Sequence, residues 1–182
     1  MNHLGTALID PREIFSRVGL SRGMRVADFG CGRTGHFVFL AAKIVEDVGI
    51  VYAVDILKEV LESIKNRIKD EGFDNIQTVW SDIEKEGKTP IPVNSLDICF
   101  FVNVMSQLKD QVSALQEAMR LLKTGGKIVI VDWAKKLGQL GPAETAILNQ
   151  EKIKILCNSC ALTLEETNAA GDYHFYSILR KV

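Results

Sequence analysis

Short runs of consecutive apolar residues alternate along this chain with longer stretches in which apolar residues recur every three or four positions. A continuous apolar run is typical of a strand buried on both faces of a parallel sheet, whereas the wider spacing is typical of an amphipathic helix. The runs that predict strands lie at residues 24–29, 50–54, 76–80, 96–102 and 127–131. Strands that alternate with helices in this way predict an α/β fold.

The helices predicted around these strands carry start and stop signals. Asp10, followed by Pro11 and Glu13, predicts the start of a helix that ends at Gly19, because aspartate can cap the first turn and proline suits the first helical position. Gly72 likewise marks the end of a helix. Apolar spacing predicts further helices over residues 37–45, 57–68, 108–122 and 150–160.

The lengths of the connections indicate the directions of the strands. Strands joined through a helix run parallel, so the first five strands predict an open, mostly parallel sheet with helices on both faces. Segments 162–167 and 173–179 flank only a short connection around residues 169–171, which is typical of a hairpin. We therefore expect the last strand to run antiparallel to its neighbour.

The composition is that of an ordinary globular protein. The chain has 182 residues, of which 47% are hydrophobic and 25% charged, and its net charge is −1. We expect a single domain over residues 1–182, with residues 1–22 as an N-terminal helical cap. A nearly neutral chain has no field that would attract nucleic acid or an anionic membrane, so neither is an expected partner. The sequence does not predict the oligomeric state.

Neither a secretory signal nor a membrane segment is expected. Residues 1–6 lack the basic region of a signal, and the apolar runs are shorter than the ~18 residues that cross a bilayer. We therefore expect a cytoplasmic protein with free thiols at its cysteines. Cys157 and Cys160 have the spacing of metal ligands, but the sequence offers no second pair, so we expect no metal site.

The carboxyl ends of the parallel strands are the predicted ligand site, because open α/β sheets bind ligands where the strand order reverses. The loop after the first strand contains Gly30, Gly32 and Gly35, which fit the Gly-x-Gly-x-x-Gly pattern of dinucleotide-binding proteins. Asp55 follows about 20 residues after the last glycine, where an acid can accept hydrogen bonds from ribose hydroxyls. These features alone permit NAD as the ligand.

Two further acids favour a ligand that carries an amino acid and an adenine. Asp28 precedes the first glycine, where a carboxylate would repel a pyrophosphate but would pair with an ammonium group. Asp82 lies at the end of the third strand and can accept a hydrogen bond from the adenine amine. Ile56 and Ile83 are the expected apolar covers of the adenine ring.

The order of these motifs resembles that of the class I S-adenosylmethionine-dependent methyltransferases. The matching segments lie between residues 10 and 181 and comprise 26–32, 52–55, 81–82, 96–104 and 121–127. More narrowly, Val131-Asp132-Trp133, Gly141-Pro142 and Tyr173-His174-Phe175 resemble a small, uncharacterised group within that class, related to the quinone-biosynthesis type.

The resemblance implies a Rossmann-like sheet of seven strands, mostly parallel with an antiparallel last strand. It implies S-adenosyl-L-methionine as the cofactor and S-adenosyl-L-homocysteine as its product. The ribose is expected on Asp55, the adenine on Asp82 and the sulfonium near Asn103. The methionine part is expected against the loop, at Gly30, Cys31, Gly32 and Gly35.

Methyl transfer from a sulfonium requires chiefly that the acceptor be held in line with the breaking bond. A base is needed only for an acceptor that must lose a proton, and the candidates are His174 and Asp132, followed by Tyr173 and Tyr176. His174 is also consistent with a structural histidine, and Asp132 with a turn cap. Trp133 is expected either to line the acceptor pocket or to pack in the core.

The sequence therefore predicts an enzyme that transfers a methyl group from S-adenosylmethionine to a small-molecule acceptor by in-line displacement. Two alternatives stay open. An NAD-dependent oxidoreductase would share the glycine loop and Asp55, and a non-catalytic protein could bind S-adenosylmethionine in the same pocket. No motif in the sequence indicates the acceptor or its accepting atom.

Overall fold

The structure, a computed structural model, describes residues 9–182 and contains a seven-stranded sheet. The strands are β1 (Arg25–Phe29), β2 (Ile50–Asp55), β3 (Ile76–Trp80), β4 (Leu96–Val102), β5 (Leu122–Trp133), β6 (Leu162–Ala170) and β7 (His174–Lys181). Their order across the sheet is β3-β2-β1-β4-β5-β7-β6, and β7 runs antiparallel to both of its neighbours. The predicted fold class is confirmed.

The helices of the described residues lie between these strands. They are α1 (Pro11–Val18), α2 (His36–Val45), α3 (Lys58–Glu71), α4 (Gln111–Leu121) and α5 (Gln150–Ser159), with short 3-10 turns at Met105–Gln107 and Glu144–Ala146. Within residues 9–182, no helix combines the length and apolar character that crossing a bilayer requires. Residues 1–8 of the expected N-terminal cap lie outside the described residues.

The structure confirms a predicted helix start at Asp10 and a predicted helix end at Gly72. The side chain of Asp10 accepts a hydrogen bond from the backbone N–H of Arg12 at 3.0 Å, which caps α1. Gly72 ends α3 in the left-handed conformation, with a φ of 70°. Both ends therefore form where local backbone chemistry favours them.

Two boundaries differ from the prediction. Residues 124–126 are predicted to separate α4 from a strand that starts at Lys127, but β5 already begins at Leu122, which pairs with Leu96 before the register shifts. Gly125 has a φ of 76°, which lets the strand continue through this irregularity. In the hairpin, β6 extends to Ala170, because pairing with β7 continues into the predicted turn.

Helices cover both faces of the sheet. On one face, Phe15 of α1, Phe37 of α2 and Ile64 of α3 belong to a single apolar cluster. On the other face, Leu115 of α4 and Ile153 of α5 belong to a second cluster. The sheet is therefore buried on both sides, as its continuous apolar strands require.

The strand order reverses at β1, which pairs with β2 on one side and with β4 on the other. The chain leaves β1 through α2 toward one face and leaves β4 through α4 toward the opposite face. A crevice consequently opens between the carboxyl ends of these two strands.

The buried carboxylate of Glu117 holds the connection between β3 and β4 in place. The Glu117 side chain of α4 is fully buried, and its carboxylate accepts hydrogen bonds from the backbone N–H groups of Gly87 and Thr89, each at 2.7 Å. Arg120 contacts the same carboxylate at 2.8 Å. Burial acts to raise the pKa of Glu117, but the hydrogen bonds from Arg120, Gly87 and Thr89 outweigh it and hold the pKa at about 2.

We expect Glu117→Gln to lower the free energy of unfolding at pH 7 by about 3 kcal/mol, because it removes a buried charge that pairs with a partly buried arginine and accepts hydrogen bonds from two N–H groups. Urea unfolding measures this loss. The control is Glu62→Gln, which breaks the exposed pair of Glu62 with Lys65 and should cost less than about 1 kcal/mol. Similar losses in the two variants would contradict the assigned role.

The same carboxylate should make stability depend on pH. The pKa of Glu117 in the folded chain, about 2, lies below its ordinary value of 4.5, so its stabilisation is complete above pH 4.5. It should be lost as the pH falls from 4.5 toward 2, and this part of the acid dependence should be absent in Glu117→Gln.

Candidate functional site

A cavity of about 520 Å³ opens at the carboxyl ends of β1 and β4, where the strand order reverses. Of the residues predicted to bind the cofactor, the structure brings five to its wall: Asp28, Gly30, Cys31, Gly32 and Asn103. Further wall residues come from α2, α3, the turn after β4 and the loop after β5, and they include His36, Glu59, Ser106, Gln107, Trp133 and Pro142.

The loop after β1 folds tightly against β2. The backbone N–H groups of Gly30 and Cys31 both donate to the carbonyl oxygen of Val54, at 2.8 and 3.1 Å. Gly30 has a φ of 75°, and a Cβ atom built on it would lie 2.7 Å from the side chain of Val104. A larger residue would strain this turn, so the backbone itself forms the cavity wall here.

Gly35 has a different surrounding from the other loop glycines. It does not belong to the cavity wall, and a Cβ atom there would lie 2.7 Å from Ile64 and 2.9 Å from Phe39. The absence of a side chain at Gly35 lets α2 pack closely against α3, in keeping with the packing part that a third loop glycine plays in dinucleotide-binding folds.

Asp28 is a buried carboxyl group that the protein leaves without a full set of partners. Its side chain is 3% exposed, and its Oδ1 atom has no hydrogen-bond partner among the described residues. Burial, together with the negative charge of Asp55, raises the pKa of Asp28 from 3.8 to about 8. A free oxygen in the wall of a cavity is well suited to a positively charged or hydrogen-bond-donating ligand.

Asp55 ends β2 and supports the glycine loop. Its Oδ2 atom accepts a hydrogen bond from the N–H of Gly32 at 3.2 Å, and its Oδ1 atom accepts one from the N–H of Leu57 at 2.9 Å. Asp55 itself is not part of the cavity wall, which continues through Leu57 and Glu59. Each carboxylate oxygen keeps capacity for a second donor.

The end of β3 also lies outside the cavity wall. Asp82 accepts a hydrogen bond from the N–H of Glu84 at 3.1 Å and lies 3.5 Å from the ammonium group of Lys85. Ile83 is buried in an apolar cluster, whereas Ile56 is 52% exposed. The structure therefore does not bring these three predicted contacts with adenine to the cavity wall.

Asn103 follows β4 directly and turns the chain away from the sheet. It adopts a left-handed φ of 54°, and its N–H donates to the carbonyl of Val131 at 2.8 Å. Its side-chain oxygen is buried at the cavity without a partner among residues 9–182. Its backbone carbonyl accepts a hydrogen bond from the side chain of Gln107.

Asp132 organises the turn after β4. It is 1% exposed, and its carboxylate accepts hydrogen bonds from the N–H of Ser106 at 3.0 Å, the hydroxyl of Ser106 at 3.1 Å and the N–H of Trp133 at 2.8 Å. Burial raises the pKa of Asp132, and the hydrogen bonds from Trp133 and Ser106 counteract part of that rise. Ser106 and Trp133 line the cavity, and Asp132 lies behind them.

His174 of β7 is the register partner of Trp133 of β5. The centroids of their rings lie 4.3 Å apart with the ring planes tilted by 40°, His174 is 1% exposed, and burial lowers the pKa of His174 to about 4. It is outside the cavity wall, as are Tyr173 and Tyr176. A neutral, enclosed imidazole fits the structural interpretation of this residue better than a base at the site.

Ser106, Gln107 and Glu59 line the cavity but were not among the residues predicted from the sequence. Each lies a few residues beyond a strand end, Glu59 after β2 and the other two after β4. The signal that could have found them is position alone, since polar residues in the first turn after a parallel strand face the same edge of the sheet.

The four cysteines are buried free thiols, and residues 9–182 contain no group of three or more His, Cys, Asp or Glu arranged to hold a metal.

Comparisons with known proteins connect the chain with methyltransferases. A family profile described as "Methyltransferase domain" matches residues 20–180. A ubiquinone/menaquinone biosynthesis C-methyltransferase, UbiE, from Coxiella burnetii is 33% identical over 117 residues, which cover 64% of this chain and 45% of that protein. The chain thus spans less than half the length of the curated relative that it matches.

Two crystal structures share the fold over nearly the whole chain. A SAM-dependent methyltransferase from Aquifex aeolicus superposes with a TM-score of 0.88 at 24% identity, covering 100% of this chain and 94% of that one. A candidate type 11 methyltransferase from Sulfolobus solfataricus superposes with a TM-score of 0.76 at 26% identity, covering 96% and 94%.

We expect Asp28→Asn to stabilise the ligand-free protein at pH 7 by about 1 to 3 kcal/mol. The folded protein binds the proton of Asp28 more tightly than the unfolded chain does, so the free energy of unfolding falls as the pH rises from 3.8 toward 8. At pH 7 this fall amounts to at most about 4 kcal/mol. Asparagine has no proton to lose and therefore avoids the fall, but its buried amide has a desolvation cost of about 1–3 kcal/mol, which cancels part of the gain.

Urea unfolding between pH 4 and 8 measures the effect. Asp97→Asn is the matched control, because Asp97 accepts hydrogen bonds from the N–H of Arg25 at 2.8 Å and from Lys123 at 2.6 Å, so its substitution should destabilise. Loss of stability in Asp28→Asn as well would mean that the protein itself compensates the Asp28 carboxyl group.

Proposed function

The chain belongs to the methyltransferase domain family as a class I S-adenosylmethionine-dependent methyltransferase, and from this premise we propose that it transfers a methyl group to a small-molecule acceptor. The observation that carries the proposal is the unpartnered oxygen of buried Asp28 beside the glycine loop, at the reversal of strand order. The family's cofactor, S-adenosyl-L-methionine, has an ammonium group that can pair with this carboxyl group in its ionised form.

The residues at the cavity fit the methionine part of the cofactor. We assign the ammonium group to Asp28, directly or through a water molecule, and the methionine chain to the wall formed by Gly30, Cys31 and Gly32. The close approach that a ligand needs is available at Gly32, where a Cβ atom would meet no protein atom within 4 Å. Asn103, whose side-chain oxygen is free, is assigned to the region of the sulfonium.

The nucleoside is assigned to the ends of β2 and β3. Asp55 would accept hydrogen bonds from the ribose hydroxyls with the lone pairs that Gly32 and Leu57 leave free. Asp82, with Ile56 and Ile83, would hold the adenine. The support for this assignment is that the ends of β2 and β3 are adjacent, since the N–H of Ser81 donates to the carbonyl of Asp55 at 3.2 Å. Gly35 contributes the tight α2–α3 packing beneath the loop.

When bound, the cofactor supplies a methyl group on a positively charged sulfur, which is an excellent leaving group. The chain's contribution is then chiefly to hold the acceptor in line with the methyl group and to exclude water, and proximity can contribute about 7 to 11 kcal/mol. Trp133 and Pro142 wall the cavity beside Asn103, and they are assigned to the acceptor side.

The acceptor is proposed to be a small molecule. The cavity, at about 520 Å³, has the volume typical of small-molecule sites, and the net charge of −1 does not favour nucleic acid. The similarity to a ubiquinone/menaquinone biosynthesis C-methyltransferase adds quinone-type rings to the acceptors worth testing. The apolar ring of Trp133 is compatible with such a ring.

Family membership sets aside the NAD-dependent oxidoreductase considered from the sequence. The geometry gives the reason, since Asp28 would oppose a pyrophosphate at the position where a dinucleotide carries its negative charge. A non-catalytic protein that binds S-adenosylmethionine differs from the proposed enzyme in one measurable respect, which is transfer of a labelled methyl group.

We predict that binding of S-adenosylmethionine at pH 7 releases about one proton. Asp28, with a pKa of about 8, is mostly protonated in the free protein, and an ammonium group beside it would favour the ionised form. Calorimetric titrations in two buffers of different ionisation enthalpy measure the proton release. Asp28→Asn should bind more weakly and release no proton, and a wild-type protein that binds without releasing any would contradict the assignment of the ammonium group.

A further inference from the structure

The turn after β4 holds a serine whose hydroxyl group is oriented by the protein. Ser106 lies in the 3-10 turn Met105–Gln107 and lines the cavity. Both its N–H and its hydroxyl donate to the carboxylate of Asp132, at 3.0 and 3.1 Å. Ser106 therefore lies at the cavity, and Asp132 is enclosed behind it.

The direction of these hydrogen bonds decides what Ser106 can offer to a ligand. A serine hydroxyl has one hydrogen to donate and two lone pairs that accept. Since the hydrogen is used toward Asp132, the part of the hydroxyl left for the cavity is a hydrogen-bond acceptor. A ligand at this position must therefore bring its own donor.

On the basis of the proposed function, we propose that Ser106 is a catalytic residue that receives the acceptor's proton and passes its own to Asp132, so that the site selects acceptors with an O–H, N–H or S–H bond at the reacting atom or conjugated to it. Asp132 acts through Ser106 and does not touch the acceptor.

The step balances in atoms and charge. The acceptor keeps the electron pair of its O–H, N–H or S–H bond and uses an electron pair to bond the methyl carbon, while the pair of the breaking carbon–sulfur bond stays on sulfur. The acceptor's proton moves to Ser106 Oγ as the Ser106 hydroxyl proton moves to Asp132 Oδ1. The hydroxyl is thereby restored, the carboxylate ends protonated, and the positive charge of the sulfur is neutralised with it.

Titratable groups lie behind the pair and across the cavity from it. Behind it, the enclosed ring of His174 on β7 lies against Trp133, and neither ring nitrogen has a hydrogen-bond partner among the described residues. On the turn itself, Gln107 is uncharged. Across the cavity, the ionisable wall residues are Asp28 and Cys31 on the cofactor side and Arg33, His36 and Glu59 at the helix starts. Burial raises the pKa of Asp132, which makes its carboxylate a better proton acceptor than an exposed one.

The first test measures binding without turnover. Phenol, thiophenol and aniline are titrated against the cofactor-free and the S-adenosylhomocysteine-bound protein by NMR, each beside its methylated counterpart anisole, thioanisole or N,N-dimethylaniline. We expect at least one protic probe to bind several-fold more tightly than its counterpart, with the Ser106 amide signal shifted, and Ser106→Ala to abolish that preference. Equal binding within all three pairs, or an unchanged preference in Ser106→Ala, would overturn the proposal.

The second test measures transfer of tritium-labelled methyl from S-adenosylmethionine into a small-molecule extract. Ser106→Ala and Asp132→Asn should lower labelling by about 100-fold or more, as loss of general acid-base catalysis does, and Ser106→Thr should restore much of it. Asp132→Asn should nevertheless keep the preference for protic probes, because the amide oxygen of asparagine can still accept the hydrogen bond from the Ser106 hydroxyl. If Asp132 had only a structural role, its substitution would weaken binding and labelling together.

The chain provides a matched control. Ser113 donates its N–H and its hydroxyl to Asp110, at 3.0 and 2.7 Å, in the same arrangement but on an exposed helix start outside the cavity wall. Ser113→Ala should leave labelling unchanged. Equal labelling by wild type and Ser106→Ala would contradict the role of Ser106, whereas a wild type that binds S-adenosylmethionine but transfers no label would contradict the proposed function instead.

Discussion

The site depends on a carboxyl group that the fold buries without fully satisfying it. Asp28 is the penultimate residue of β1, an interior strand with which β2 and β4 pair on either side, and water has little access to it. Nearby Asp55 adds to the cost of its charge. A natural protein keeps such a group where a ligand compensates it, so the instability of the empty site and the affinity of the filled one have the same origin.

The rest of the cavity follows from the position of that strand. Because strand order reverses beside β1, the helices after β1 and β4 leave toward opposite faces and the strand ends remain open. Hydrogen bonds from the loop to Val54 and Asp55 fix its glycine backbone before any ligand arrives. The β4 side is fixed separately, by Asp132 through Ser106 and Trp133. The cofactor side and the acceptor side therefore have independent supports, which allows one to vary while the other is kept.

The sequence predicts those features that are local. The cap at Asp10, the end of α3 at Gly72 and the glycine loop with Asp28 each depend on neighbouring residues, and the structure has them where the pattern indicates. Ser106 could not be found this way, because its partner Asp132 is 26 residues distant and meets it only after β4 pairs with β5. The early start of β5 has the same cause, since pairing of Leu122 with Leu96 outweighs a local glycine signal.

The account is tested most directly by a crystal structure of this protein with S-adenosylhomocysteine bound. We predict that the ammonium group of the ligand lies within hydrogen-bond distance of Asp28 Oδ1, or one water molecule away, with the ribose toward Asp55 and the sulfur facing Ser106 and Trp133. A ligand bound elsewhere, or one whose carboxylate or adenine occupies the place beside Asp28, would contradict the central claim that this buried carboxyl group is the anchor of the site.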